Sequence, residues 1–421
     1  SQSDMQYLKS KKEWSDLVPE DLAKLLVQQG FRAPSRIQSL AVPTVKARTN
    51  SVVIAQSQNG SGKTLAFLIP TLLRINKSEP LDDGKGSFLP QAIVLIHVKE
   101  LCTQTLQIAK KFEPAFPDVI INVGDPRNLV KSHMLICTPG NLLTIISKKM
   151  VNLSNLKILA VDEADYVLTN DVGNKAILAV AKAMTAKEKQ FLFFSATYAE
   201  KSIETIKEIK KPDQDVLEFL LPPDKLTLEG LLQLHTMCKN KIEYIETLIS
   251  NLEVETQTII FANTRNYAMK LLEYLVSKDH KPALLMGGDM PVEERDLIFT
   301  KFKKGDIQIL ITTNVLARGV DNRSVGFVIN LDMPLVYGTA LDEVDVDMYL
   351  HRIGRTGRFA DVGVALNLLS RPEEKSFITK LEKHYNCKIP ELKDIKELNK
   401  LLAEAKEMNN IKRKKGGETV Q

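Results

Sequence analysis

The 421-residue sequence predicts an α/β protein built as two tandem units, each a parallel sheet with helices on both faces. Three observations predict it. Short apolar runs alternate with longer helical runs along both halves of the chain. The alternation breaks at Leu221-Pro222-Pro223-Asp224, where two prolines bar the continuation of a helix or a central strand. The length exceeds one core of ordinary size, so two domains plus extensions are expected.

Hydrophobic content of 44% and charged content of 26% describe a soluble globular protein. No apolar run is long enough to span a membrane and no signal-peptide pattern opens the chain, so no membrane insertion is expected. Ser1 stands where an initiating Met would, so upstream sequence is expected. The net charge of +5 permits a polyanionic partner without demanding one. Cys102, Cys137, Cys238 and Cys387 are scattered with no CxxC spacing. They read as buried thiols in a reducing compartment, not as a disulfide frame or zinc site.

The elements follow in order. Trp14 to Gly30 carries helical spacing through Leu17, Leu22, Leu25 and Leu26, with Pro19 near a first turn. Ser35 is placed to cap a helix that begins near Ile37. Val52–Ile54 reads as a buried strand and Leu65–Leu73 as a helix. Further strands are expected at Ala92–Ile96, Val119–Val123, Met134–Cys137, Ile158–Val161 and Phe191–Phe194, with helices such as Glu100–Phe112 and Asn141–Ser147 between them. Leu81–Ser87 reads as a surface loop. The first domain is thus 1–220 and the linker 221–230. The second domain, 231–390, has expected strands Gln233–Met237, Thr258–Phe261, Ala283–Met286, Ile307–Thr312, Val325–Asn330 and Gly363–Leu369. Residues 391–421 read as a charged amphipathic helix, roughly Lys393–Met408, and a solvated, partly disordered basic tail ending in Lys412-Arg413-Lys414-Lys415-Gly416-Gly417. A nucleic-acid contact or a localisation signal is the alternative reading of that tail.

Chemistry enters between the first strand and its helix. Ser57-Gln58-Asn59-Gly60-Ser61-Gly62-Lys63-Thr64 is a small-residue loop that can turn backbone N–H groups around a phosphate. The following helix adds its N-terminal partial charge. Lys63 supplies a full charge at the β/γ-phosphates and Thr64 a hydroxyl for Mg²⁺. Ser57 stands where the usual pattern has Gly. Downstream, Asp162-Glu163-Ala164-Asp165 ends a very apolar strand, where α/β sheets bind ligands. Asp162 is placed to hold Mg²⁺ through water, and Glu163 to orient and deprotonate an attacking water.

Together the loop and the acidic quartet resemble the DEAD-box RNA helicases of superfamily 2, from about Trp14 to about Pro390, through some ten motifs in the right order. The resemblance implies two RecA-like domains, ATP and Mg²⁺ as cofactors, and RNA-stimulated ATP hydrolysis coupled to local unwinding or protein displacement. Phe31 and Gln38 look like the adenine-reading pair, with Trp14 in the place of the aromatic residue that opens that motif. Ser195-Ala196-Thr197 resembles the motif that couples ATP state to lobe closure, its hydroxyls bonding Asp165. In His351-Arg352-Ile353-Gly354-Arg355-Thr356-Gly357-Arg358, Arg355 and Arg358 look like arginine fingers for the γ-phosphate and His351 like a contact to the Glu163 side. Gly319 and Asp321 are implied at the nucleotide, with Asp321 on the ribose.

RNA contacts implied in the same way are Lys99, Glu100, Gln104, Gly124, Thr138, Pro139 and Gly140 in the first domain. In the second they are Asn263, Arg265, Gly288, Arg295, Thr312 and Thr313. Hydroxyls, amides and isolated cations suit phosphate and 2′-OH contacts without base reading, so sequence-independent RNA binding is expected. The chain departs from the family where His97-Val98-Lys99-Glu100-Leu101-Cys102 replaces the usual Pro-Thr-Arg-Glu-Leu-Ala. It also carries Gly124-Asp125 for a glycine pair and Asn141 for an arginine. An Asp near a phosphate path repels, and Asn141 lacks the bidentate donor fork, so weaker RNA binding is expected.

The long acidic segment Leu335–Leu350, with Asp332-Met333-Pro334 and Gly288-Asp289-Met290, resembles the mRNA-export group that acts at the nuclear pore. That implies a monomer, protein activators and nuclear-pore components as partners, and a cytoplasmic and nuclear location that includes the pore. The alternatives are a translation-initiation-type helicase and an ATP-gated RNA clamp or scaffold with little turnover.

Overall fold

The computed structural model describes residues 12–57, 61–220, 231–285, 290–314, 325–336, 343–356 and 362–415. Contacts divide the chain into two units, Ser1–Leu221 and Pro222–Gln421. The expected linker, 221–230, lies outside the described residues.

The first unit is one seven-stranded parallel sheet. Its strands are β1 (Ser51–Gln56), β2 (Ala92–Leu95), β3 (Ile121–Val123), β4 (Met134–Cys137), β5 (Ile158–Asp162), β6 (Gln190–Ser195) and β7 (Asp215–Phe219). They lie in the order β3-β4-β2-β5-β6-β1-β7, and every pairing is parallel. Both faces are buried, which explains the near-continuous apolar runs. Val53, Ala55, Val94 and Ile96 join one cluster, while Val52, Ile54, Ile93 and Leu95 join the other. Sequence reading missed β7. It is a half-exposed edge strand in which only Val216, Leu217 and Phe219 are apolar, so no buried run marked it.

Within Trp14 to Gly30, Pro19 opens the helix as expected. A short 3-10 turn, Trp14–Asp16, precedes a helix at Glu20–Gln28, and Pro19 sits at its N-cap. Ser35 caps the helix Arg36–Ala47, and the Gln38 side chain returns the bond to the Ser35 N–H. Of the four cysteines, Cys102 and Cys137 are buried, whereas Cys238 and Cys387 are half-exposed; all are free thiols.

The second unit holds six parallel strands: β8 (Leu231–Met237), β9 (Gln257–Phe261), β10 (Pro282–Leu285), β11 (Ile309–Thr312), β12 (Val325–Asn330) and β13 (Gly363–Leu369). Their order is β10-β11-β9-β12-β13-β8. The C-terminal helix runs longer than expected, over Ile395–Lys415. Its Leu398, Leu402 and Ala405 lie inside this unit's core, and Asn409 bonds both the N–H and the C=O of Val362. The expected charged helix is thus a packed layer. The backbone of Lys412-Arg413-Lys414-Lys415, expected in a solvated tail, continues this helix, and residues 416–421 lie outside the described residues.

The acidic segment after Pro334 has a defined base. Leu335 bridges Val344, the Val336 N–H donates to Glu343 O, and Asp345 caps the helix Val346–Ile353. Residues 337–342 are outside the description. Among the described residues, no helix is long and apolar enough to cross a membrane.

Candidate functional site

The parallel sheet of the first unit divides its carboxyl edge into two halves. The ends of β1, β5 and β6 carry Ser57, Asp162 and Ser195, the residues expected at the nucleotide and its switch. The ends of β2, β4 and β3 lead to Lys99, Thr138 and Gly124, the residues expected at RNA. Strand order alone sorts the two groups, because β2 and β5 meet at the middle of the sheet. Ligand sites in open α/β sheets lie at this edge.

Backbone freedom and a buried cation build the phosphate loop. Gly62 adopts φ +87°, and an added Cβ would run into the Gln38 amide, so glycine is required there. Gln38 Nε2 donates to Gly62 O at 3.0 Å, while its Oε1 accepts from the Ser35 N–H at 2.7 Å. Gln38 thereby ties the preceding helix to the loop. Lys63 is 8% exposed and its ammonium donates to Ser57 O at 2.9 Å. Ser57 uses its hydroxyl as well, accepting from Ser61 Oγ at 2.8 Å, and its N–H donates to Ser195 O at 3.0 Å. Thr64 follows in the first turn of the helix Lys63–Leu73. Phe31 packs on the core edge, 6.2 Å from the Phe112 ring. Trp14, 2% exposed, donates from Nε1 to Phe31 O at 2.7 Å and fixes that stretch. Gln58, Asn59 and Gly60 lie outside the described residues.

Glu163 follows β5 in a left-handed conformation, φ 49° and ψ 50°, which starts the next helix at Ala164. A non-glycine residue held there is strained, a feature that clusters at functional sites. The Glu163 N–H donates to Asp162 Oδ1 at 3.0 Å. Burial, then the neighbouring Glu163, pushes the Asp162 carboxyl up to about 7, while Lys63 pulls the other way. Asp165 is buried and accepts from the Ser195 hydroxyl and from Thr197 Oγ1, the latter at 2.6 Å. The expected bonds from the Ser-Ala-Thr hydroxyls to Asp165 are therefore present.

On the other half of the edge, Lys99 opens the helix Lys99–Lys110, which also carries Glu100 and Gln104. Thr138 caps the helix Pro139–Ser147, with Pro139 and Gly140 in its first turn. Gly124 lies against Cys137, where an added Cβ would come within 2.9 Å of the Cys137 Cβ. Asn141 Nδ2 donates to Gly124 O at 3.1 Å, a bond the sequence did not suggest.

In the second unit the expected RNA residue Asn263 uses its side chain internally. Its Nδ2 donates to Met333 O at 2.8 Å, and its Oδ1 accepts from Arg352 Nη2 at 2.7 Å. Arg352 was not singled out by sequence reading, yet it is the hub of this unit. It is fully buried, with its guanidinium 5.4 Å from the Phe261 ring centroid. Nε donates to Asn314 Oδ1 at 3.0 Å, and Nη1 to Asp332 O at 2.7 Å and Asn330 Oδ1 at 3.3 Å. The available signal was a set of amide side chains at the ends of β9, β11 and β12, one per strand, which a central guanidinium can collect. Thr312 is fully buried and its hydroxyl donates to Thr313 O at 3.0 Å. Arg265 opens the exposed start of the helix Arg265–Ser277, and Arg295 lies within the helix Val292–Lys304. His351 is buried, and Arg355 Nε donates to His351 O at 3.0 Å. Gly288, Gly319, Asp321 and Arg358 lie outside the described residues.

Residues 35–206 match the DEAD/DEAH box helicase family model and residues 240–360 match the helicase conserved C-terminal domain. The chain is 32% identical over 394 residues to the ATP-dependent RNA helicase dbp5 of Aspergillus clavatus, covering 91% of this chain and 79% of that one. It superposes with a TM-score of 0.84, at 29% identity, on S. cerevisiae Dbp5 bound to RNA and ADP BeF3, covering 94% of this chain and 100% of the other. A yeast Dbp5 variant bound to Nup159, a Gle1 variant, IP6 and ADP matches with a TM-score of 0.64 and 29% identity, covering 93% and 100%. The two parallel sheets are those of tandem RecA-like domains, and the chain belongs to the DEAD-box family of ATP-dependent RNA helicases.

Proposed function

We propose that this chain remodels RNA or RNA–protein complexes during mRNA export, through RNA-stimulated hydrolysis of ATP. The observation that carries the reading is the carboxyl edge of the first sheet, which sets Lys63, Asp162 and Glu163 on one half and Gly124 and Thr138 on the other. Lys63 then binds the phosphates and Glu163 takes the proton of the attacking water. Gln38 still has one N–H and one lone pair free for the adenine edge after its two internal bonds. Arg355 and Arg358 stabilise the charge that develops on the γ-phosphate.

The site fits a divalent cation. Asp162 is a half-buried carboxylate beside the buried Glu163 and Asp165, and Lys63 is the cation that favours its ionised form. Asp162 and Thr64 would hold Mg²⁺, which would neutralise phosphate charge when bound.

The yeast Dbp5 complexes, one with RNA and one with Nup159 and Gle1, support RNA and protein partners here; the reading takes those protein partners as activators and nuclear-pore components, with a place at the pore between nucleus and cytoplasm. The test is phosphate release with and without single-stranded RNA, for the wild type and Glu163→Gln. RNA should stimulate the wild type, while the variant binds ATP and RNA and hydrolyses slowly. Near-normal turnover by Glu163→Gln refutes the role of Glu163, and stimulation by DNA equal to that by RNA refutes the substrate.

A further inference from the structure

At the end of β9 the backbone leaves the sheet in two steps. The Ala262 N–H still donates to Thr312 O on β11, at 3.0 Å. The next N–H, that of Asn263, donates instead to a side chain, Asp332 Oδ2, at 3.1 Å. A backbone N–H in a half-buried turn needs an acceptor, and the Asp332 carboxylate supplies it. The Asn263 side chain is held as well, by Met333 O and by Arg352. From this anchored residue the chain passes to Thr264, which caps the helix Arg265–Ser277, and to Arg265 at its exposed start. Where Asn263 sits thus decides where Arg265 begins.

Asp332 is itself placed from behind. Arg352 Nη1 donates to its C=O at 2.7 Å. The Lys241 side chain, 8% exposed, brings its ammonium 3.7 Å from Asp332 Oδ1 and 3.8 Å from Glu374 Oε2. Both separations exceed hydrogen-bond length, so Lys241 balances two carboxylates without fixing the direction of either. The directional bond of the Asp332 carboxylate is the one to the Asn263 N–H. Lys241 also offsets a negative charge that would otherwise repel RNA phosphates at this turn.

We propose that Asp332 is a positioning residue for RNA binding. Its carboxylate oxygen holds the Asn263 N–H and thereby aims Asn263 and Arg265 at the RNA backbone, while Asp332 itself touches no RNA. This rests on the reading of Asn263 and Arg265 as RNA contacts. The role belongs to the acceptor atom in its place, not to the charge, which Lys241 balances.

Two variants separate acceptor from charge. Asp332→Asn keeps an oxygen at the same distance and loses the charge. Asp332→Glu keeps the charge and carries its oxygens one methylene further. Each is assayed as the full chain by phosphate release across a titration of single-stranded RNA, with binding of a fluorescent ATP analogue alongside. Asp332→Asn should leave the RNA concentration for half-maximal stimulation within about twofold of wild type, and Asp332→Glu should raise it about tenfold, one hydrogen bond's worth. The maximal rate and the analogue affinity should stay within about twofold in both, whereas a merely structural loss would lower the active fraction and with it the maximal rate. The reverse order of the two variants, equal behaviour of both, or a loss confined to the maximal rate would overturn the role of Asp332. If the wild type itself shows no RNA-stimulated hydrolysis, the functional reading falls, an outcome distinct from any pattern among the variants.

Discussion

Arg127 clasps the carboxylate of Asp125 from both sides: Nε donates to Oδ1 at 3.1 Å and Nη2 to Oδ2 at 2.8 Å. The Arg127 N–H adds a third bond to Oδ1, at 3.0 Å. Asp125 stands where the resemblance places the family's second glycine, and its negative charge was one reason to expect weaker RNA binding. The clasp offsets that charge locally, yet it also occupies a guanidinium that is otherwise 78% exposed. Asp125→Asn should therefore raise affinity for single-stranded RNA about three- to tenfold at low salt, with a steeper salt dependence. Arg127→Ala should lower it. Fluorescence anisotropy across a salt series measures both, and an unchanged Asp125→Asn would show that this turn lies off the RNA path.

The same clasp fixes a pH response. The Arg127 side chain and then its N–H hold the Asp125 carboxyl down at about 2, below its ordinary 3.8. A carboxyl depressed in the folded state contributes stability above its unfolded pKa and loses it as pH falls through the folded value. The contribution of this pair is thus complete above pH about 4 and vanishes toward pH about 2. An NMR titration of the Asp125 side chain should give a midpoint near the lower value in the wild type and close to the ordinary one in Arg127→Ala.

Asn141 also changes meaning. Its amide holds Gly124 O, so it fixes the loop that an arginine in its place would leave to other contacts. Asn141→Ala should cost about 1 kcal/mol of stability, the worth of one such bond, and should weaken RNA binding through a looser Gly124 turn. Thermal unfolding and RNA titration of the same variant separate the two effects. Loss of stability without loss of affinity would confine Asn141 to the fold.

Arg352 predicts a larger effect. Its guanidinium collects Asn263, Asn314, Asn330 and the Asp332 carbonyl inside the second unit. Arg352→Met keeps much of the volume and removes every donor, leaving several buried acceptors unsatisfied. The expected loss is about 3–5 kcal/mol, or roughly 6–20 °C in the melting temperature of a unit this size. Arg352→Lys should recover little, because a point charge cannot serve four acceptors in a plane. A melting temperature within about 2 °C of wild type would remove Arg352 from the centre of this unit.

Legibility followed burial and spacing. Among the described residues, twelve of the thirteen strands announce themselves, most of them as apolar runs covered on both faces. β7 escaped because an edge strand is held by one neighbour and tolerates Asp215 and Glu218. The bonds of Asp165 to Ser195 and Thr197 were legible, as were the strand-end positions of Lys63 and Asp162, because a small-residue loop and an acidic run after buried strands mark those ends. Arg352 was not, since its worth lies in five partners that meet only after the sheet forms. Asp125 was read with the right charge and the wrong surroundings, because sequence shows a carboxylate but not which cation will face it.

The C-terminal helix gives the last test. Its composition is highly charged: Ile395–Lys415 reads as an amphipathic helix with a narrow apolar face. The apolar residues are few but fall on one face, and Leu398 and Leu402 are at most 3% exposed within the second unit's core. Asn399 reinforces the contact by donating to Asn251 O at 2.8 Å and accepting from the Glu253 N–H at 3.1 Å. Leu398→Ala should then cost about 2–5 kcal/mol, as for any large core side chain cut back to a methyl group. A chain ending at Asp394 should lose the fold of the second unit, while one ending at Lys415 should melt with the full chain. Calorimetry on the three proteins decides between a core layer and an appendage: equal stability for the chain ending at Asp394 would make this helix an appendage after all.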